Sequence, residues 1–262
     1  MIVDAHQHFW DPARADYPWM TDEVAGLRRR FEPDDLEPLL RRHGVVGTVV
    51  VQARHSLDET RELLDVARAT AFVLGVVGWI DLTGDVLEQI GGLDGPLVGV
   101  RHQVHDEPEP EWLLRDDVQH GIAAVGEAGL VYDLLVRERE LPAALETVRR
   151  HPDATFVLDH VAKRPPESGA WARGVAALAE LPHVACKLSG LFTESEPRDT
   201  VERALEWFGA ERCMFGSDWP VCLLAAEYGD TLAVVDDDED VLAGTALRVY
   251  GLEVPVERLQ PR

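Results

Sequence analysis

Residues 47–80 read GTVVVQARHSLDETRELLDVARATAFVLGVVGWI, and this stretch decides the fold. Its first apolar run, residues 47–53, holds Thr48-Val49-Val50-Val51 with no polar/apolar alternation. A strand of that kind is covered on both faces, as in parallel sheets. Residues 56–71 then open Ser-Leu-Asp-Glu. Ser56 as N-cap and Glu59 three residues later predict a capping box and a helix. A second apolar run, residues 72–80, follows with Leu74-Gly75-Val76-Val77. Strand, helix and strand in that order make one β/α unit and the start of the next.

The unit recurs along the chain. Apolar runs fall at 2–6, 47–53, 72–80, 97–102, 130–136, 155–160, 184–189 and 213–217. Amphipathic helical stretches lie between most of them, at 33–43, 56–71, 83–90, 117–128, 138–151, 168–181 and 197–208. A last helix, roughly 237–250, is interrupted by Gly244. Eight strands alternating with helices in 262 residues predict an α/β protein built as a single (β/α)₈ TIM barrel. The barrel is expected over residues 1–252, with 253–262 as a C-terminal tail. The rival, a doubly wound open sheet, normally carries a Gly-rich nucleotide loop after an early strand, and none is present.

Composition narrows the class. Hydrophobic residues make up 46%, enough for one large core. The chain has 48 acidic and 25 basic residues, a net charge of −23. Such a surface repels phosphate backbones and anionic lipid, which argues against nucleic-acid and membrane partners. No run of about 18 apolar residues predicts a spanning helix. Three cysteines, Cys186, Cys213 and Cys222, show no disulfide spacing. They predict free thiols in a reducing compartment, so a cytoplasmic location is expected. Nothing in the sequence sets the oligomeric state.

In a TIM barrel the chemistry sits at the C-terminal ends of the strands. The first run ends His6-Gln7-His8. Residues i and i+2 of a strand point the same way, so both imidazoles can reach one point, as a divalent metal asks. The sixth ends Leu158-Asp159-His160, where His160 is either a site residue or a hydrogen-bonded strand-end histidine. Asp159 either supports the site or faces the helices. The eighth runs on into Ser217-Asp218-Trp219-Pro220. Asp218 can ligate a metal and accept a proton from water, or it can be an Asx turn.

Together, His6, His8, His160 and Asp218 offer three nitrogens and one oxygen, a first shell for one zinc-like ion. Arg101, at the fourth strand end, can polarise a carbonyl, clamp a carboxylate or form a rim salt bridge. Lys187 is either an in-barrel donor or an ion-pair partner. Gln52 is a further polar strand-end residue. Among the aromatic residues near these ends, Trp10 and Trp219 are candidate walls for a small organic ligand such as a sugar ring, or ordinary core.

Several segments resemble the amidohydrolase-2 branch of the amidohydrolase superfamily: VDAHQHFWDP (3–12), VQARHSLDET (51–60), GVRHQVHDEP (99–108), LDHVAKRP (158–165), KLSGL (187–191) and GSDWPVC (216–222). Within it they are most similar to the sugar-lactonase group. The likeness runs from residue 2 to about 222 in barrel order.

The resemblance implies a TIM barrel that hydrolyses a cyclic ester, a small sugar-acid lactone. It carries the strand-one pair onto His6 and His8, the strand-six histidine onto His160 and the strand-eight aspartate onto Asp218. It makes Arg101 a substrate contact. Catalysis is expected from Asp218, His160 and Arg101, and substrate contacts from Arg101, Gln52, Trp10, Lys187 and Trp219. The branch includes zinc-bound and metal-independent lactonases, so one divalent ion, zinc first, is set beside a metal-free site. Many superfamily members bridge two metals with a lysine from strand four or five, and none stands there. Two alternatives remain: a metal-dependent decarboxylase of a small carboxylic acid, and a non-catalytic sugar-binding barrel.

Overall fold

The computed structural model describes residues 1–165, 168–193, 197–235 and 237–258. Eight parallel strands lie in sequence order: β1 Ile2–Gln7, β2 Val45–Val51, β3 Val73–Gly78, β4 Leu97–His102, β5 Val131–Leu134, β6 Phe156–Leu158, β7 Val184–Leu188 and β8 Cys213–Phe215. The barrel closes beyond the end of β8, where Gln7 bridges Trp219 in parallel. Helices α1 Pro33–His43, α2 Leu57–Ala69, α3 Val86–Gly91, α4 Asp116–Glu127, α5 Leu141–Arg150, α6 Gly169–Ala179 and α7 Pro197–Phe208 pack outside. Two short helices follow β8: α8 Tyr228–Ala233 and α9 Thr245–Tyr250. This is the (β/α)₈ barrel that the apolar runs predict.

Local chemistry explains the boundaries. The Ser56 side chain accepts the Glu59 N–H at 3.2 Å, capping α2. The capping box is only half formed. Glu59 reaches past Ser56 to accept the Ala53 and Arg54 N–H groups at 2.9 and 3.0 Å. It thereby ties the end of β2 to α2. A π-helical turn at Asp240–Gly244 leads into α9, where the sequence predicts an interruption at Gly244.

One buried cluster gathers Val49, Val51, Val77, Val131, Val157, Ala185 and Met214 with Tyr250 and Leu252. Leu252 lies against Gly75 and Tyr250 against Gly99, near the starts of their strands. The last helix therefore plugs the end of the barrel opposite the strand C-termini. Of the tail, Arg258 donates to the Val46 carbonyl at 3.0 Å, and residues 259–262 lie outside the described residues. The cysteines are free and buried.

Gly121 makes a prediction whose sign packing decides. Alanine is the better helix former by about 1 kcal/mol. A Cβ at Gly121 would lie 2.2 Å from the Leu82 carbonyl oxygen, a backbone atom that cannot swing away. Gly121→Ala is therefore expected to lower stability by ~1–3 kcal/mol, measured by denaturant unfolding. A more stable variant would contradict this packing.

Candidate active site

The strand C-termini converge as the sequence predicts. His6 Nε2 and His8 Nε2 face each other at 3.2 Å. Asp218 Oδ1 lies 3.7 Å from the first and 3.3 Å from the second. All three side chains are buried. His8 Nδ1 lies 2.7 Å from the Val51 carbonyl, which can only accept, so the His8 proton sits there and Nε2 presents the lone pair. His6 Nδ1 faces Asp159 Oδ1 at 3.4 Å, which likewise leaves Nε2 for the centre.

Three acceptor atoms thus crowd one point, and a cation relieves that crowding. A point equidistant from the three lies ~2.0 Å from each, the bond length of a zinc-sized ion. The donor set fits one divalent metal.

His160 stands beside this triangle. Its ligand nitrogen groups with a nitrogen of His6 and a carboxylate oxygen of Asp159, and its ring centroid is 4.6 Å from that of His6. Its Nδ1 bonds Ser189 Oγ at 2.9 Å. The structure thus joins three of the four expected ligands at one point and sets the fourth against them. Gly190, at φ +62°, fits between His160 and Asp218. A Cβ there would lie 2.6 Å from His160 Nδ1 and 3.1 Å from Asp218 Oδ2.

The backbone beneath is unusual. His160, Val161, Ala162 and Lys163 all take left-handed φ values, 54°, 50°, 56° and 47°. Each such non-glycine residue costs ~1–2 kcal/mol. Buried Val161 and Ala162, and a hydrogen bond from Trp171 Nε1 to the Val161 carbonyl at 2.8 Å, hold the turn. It presents His160 and Lys163 to the barrel mouth. Asp218, at φ 55°, is strained in the same way.

Burial pushes the His6 imidazole well below its ordinary range although Asp159 opposes it. Burial also pushes His160 down to about 4 against the pull of Asp218 and Asp159. Burial alone would raise the Asp218 carboxyl. His160, His8 and His6 outweigh it and hold Asp218 below the usual carboxylate range. Near neutral pH His6 and His160 are neutral imidazoles and Asp218 is an ionised carboxylate.

Arg101 anchors a charge network under the centre. Its Nη1 donates to Asp159 Oδ2 at 2.9 Å and lies 3.3 Å from His6 Nε2. Its Nη2 donates to the Gln52 carbonyl at 2.5 Å. Its Nε is buried with no partner among the described residues. Lys187 Nζ pairs with Asp133 at 2.5 Å and with Asp159 at 3.3 Å. Tyr250 Oη donates to Asp133 at 2.8 Å.

A cavity of about 250 Å³ opens over the centre, lined by His8, Arg101, His160 and Asp218 together with Trp10, Trp19, Gln103, His105, Arg137 and Lys163 among others. Of the expected substrate contacts, Arg101 and Trp10 line it. Gln52, Lys187 and Trp219 do not, contrary to the sequence expectation. Gln52 is used up in holding Arg101, its Nε2 donating to the Arg101 carbonyl at 3.2 Å. Lys187 is fully buried between two aspartates. Trp219 packs on Phe9 and Phe31, 6.1 and 5.3 Å between ring centroids. Sequence reasoning missed Trp19, which comes from a loop with no periodic signal, and Lys163, placed by the left-handed turn.

The chain matches the amidohydrolase family model over residues 3–252. It belongs to that family. It is 43% identical to an L-fucono-1,5-lactonase of Burkholderia ambifaria over 241 residues, covering 87% of this chain and 83% of that one. An L-fucono-1,5-lactonase of Burkholderia multivorans is 38% identical, with 97% of each chain covered. An amidohydrolase crystal structure from Burkholderia multivorans with bound zinc superposes with a TM-score of 0.91 at 37% identity, covering 97% of this chain and all of that one. A 2,6-dihydroxybenzoate decarboxylase from Rhizobium, at 14% identity and TM-score 0.66, shares the fold.

A second histidine pair lies nearby. His55, His102 and Glu107 also cluster. The imidazoles are stacked, 4.0 Å apart and 24° from parallel, so their in-plane lone pairs do not converge on one ion. His102 Nδ1 accepts Trp79 Nε1–H at 3.1 Å, and its Nε2 lies 2.7 Å from Glu107. His102 is therefore a neutral ring, and burial holds it down at about 4 from 6.5. The unfolded chain takes up that proton below about 6.5, whereas the folded protein resists it until about 4. Stability is present above 6.5 and lost as pH falls through this window. His102→Gln is expected to flatten the acid-side fall in unfolding free energy by at most about 3 kcal/mol. Parallel profiles for the two proteins, from unfolding curves between pH 6.5 and 4, would contradict the assignment.

Proposed function

We propose that the protein hydrolyses the cyclic ester of a small sugar-acid lactone, of the L-fucono- or L-rhamnonolactone kind, by attack of water with Asp218 as general base. The observation that carries this reading is the donor triangle opening onto a cavity, with ionised Asp218 at its edge, in a chain 43% identical to an L-fucono-1,5-lactonase. Residues 1–252 form the catalytic unit and 253–262 a tail. Three buried free thiols support a cytoplasmic location.

His6 Nε2, His8 Nε2 and Asp218 Oδ1 would hold the ion, zinc in this proposal, with His160 beside them. An ion there supplies Lewis acidity, which lowers the pKa of water and polarises a carbonyl. Asp218, kept ionised, accepts the proton of the attacking water at a carboxylate oxygen and returns it to the departing ring oxygen. Arg101, on the cavity wall, stabilises the negative charge that develops on the carbonyl oxygen. Asp159 and Gln52 fix the guanidinium, so little reorganisation is needed. His160, anchored by Ser189, donates or accepts at the reacting centre from the opposite side of Gly190. Trp10 forms an apolar wall for the ring. Its Nε1–H is taken by the Leu27 and Arg29 carbonyls, so the indole offers hydrocarbon rather than a donor.

Purified protein is expected to release protons rapidly from L-fucono-1,5-lactone or a related aldonolactone in a pH-indicator assay, and to slow in chelator. Carbon dioxide release from a small carboxylic acid, with no lactone opened, would replace this reading by the decarboxylase. Ligand binding without turnover would replace it by a non-catalytic sugar-binding barrel.

Asp218→Asn keeps the shape of the residue and removes the base. Its kcat is expected to fall by about 10³-fold or more while the circular dichroism spectrum stays native. An unchanged kcat would remove Asp218 from the mechanism.

A further inference from the structure

The cavity has a second polar region that the hydrolytic step does not use. Arg137, Lys163, His105 and Asp106 line the same cavity as His8, His160 and Asp218. Two cations in one small cavity wall run against a chain of net charge −23. His105 Nε2 is paired with Asp106 Oδ1 at 3.2 Å, while His105 Nδ1 is buried with no partner among the described residues. Burial pushes His105 down against the pull of Asp106, and Lys163 and Arg137 push in the same direction as burial. The strained turn from His160 to Lys163 aims both residues at one cavity.

We propose that Arg137, Lys163 and His105 form a carboxylate subsite. Cationic side chains converging on a partly desolvated wall are the usual receptor for a carboxylate. Two molecules can bring one. Opening a neutral lactone creates an acid group at the attacked carbonyl, which the subsite would take up as the open-chain product turns in the cavity. Alternatively, a substrate lactone carries a second carboxylate of its own. The source of the carboxylate rests on the lactonase reading, whereas the subsite does not.

Full-length protein is titrated by tryptophan fluorescence with L-fuconate, with uncharged L-fucitol and with D-glucaro-1,4-lactone; Trp10 and Trp19 line the same cavity and report occupancy. At least one carboxylate is expected to bind tenfold or more tightly than L-fucitol, with a preference that shrinks as salt is raised. Arg137→Gln and Lys163→Gln should each reduce that preference at least fivefold, and Lys163→Arg should restore most of it. Tighter L-fuconate binding assigns the subsite to product, and tighter D-glucaro-1,4-lactone binding assigns it to substrate. Equal affinity for L-fucitol and both carboxylates in the unmodified protein overturns the subsite. So does a preference that survives in both natively folded variants. A protein that opens no lactone yet prefers the carboxylates sinks the lactonase reading and keeps the subsite.

Discussion

The site depends on one backbone register, that between the residues following β8 and the end of β1. Asp218 N donates to the His6 carbonyl at 2.8 Å, and His8 N donates to the Trp219 carbonyl at 2.7 Å. Those two bonds bring a carboxylate from residue 218 to imidazoles from residues 6 and 8. Asp4 locks the seam. It accepts Ser217 N and Oγ at 2.9 and 2.6 Å, His6 N at 3.2 Å and Tyr228 Oη at 3.0 Å. Side chains alternate along a strand, so a slip of one residue would send Asp218 away from the histidines. The closure of the barrel brings the triangle together.

Beneath the seam, burial charges are balanced within the barrel. Isolated ions in such a place would cost many kcal/mol, and pairing offsets part of that. Asp159 is the hub, facing His6, Arg101 and Lys187 at once. Burial opposes its charge, but Lys187, His6 and Arg101 prevail and hold its carboxyl well below the usual range. The network leaves Arg101 rigid at the cavity wall. It also explains why Lys187 and Gln52 support the site from behind.

The fold was legible because each β/α unit repeats the pattern of residues 47–80, and continuous apolar runs are the mark of doubly covered strands. His6, His8 and Asp218 were legible because period-two spacing and strand-end position are properties of sequence alone. What stayed hidden depends on non-local or irregular backbone. Alternation groups Asp4 with His6, yet the β1–β2 register is irregular between Asp4 and Gln7, and Asp4 engages Ser217 and Tyr228. The sixth run was expected to end at residue 160, but β6 stops at Leu158 and a left-handed turn places His160 and Lys163. Aromatic content near strand ends could not separate Trp10, on the cavity, from Trp219, in the core. The family resemblance, by contrast, held across the chain.

The central claim is that the β8–β1 seam assembles a three-atom cradle for one divalent ion. Anomalous diffraction at the zinc edge, on crystals of the protein supplied with zinc, tests it most directly. The account predicts one peak within about 2.0–2.2 Å of His6 Nε2, His8 Nε2 and Asp218 Oδ1. A zinc peak elsewhere in the barrel mouth, with this triangle empty, would contradict it.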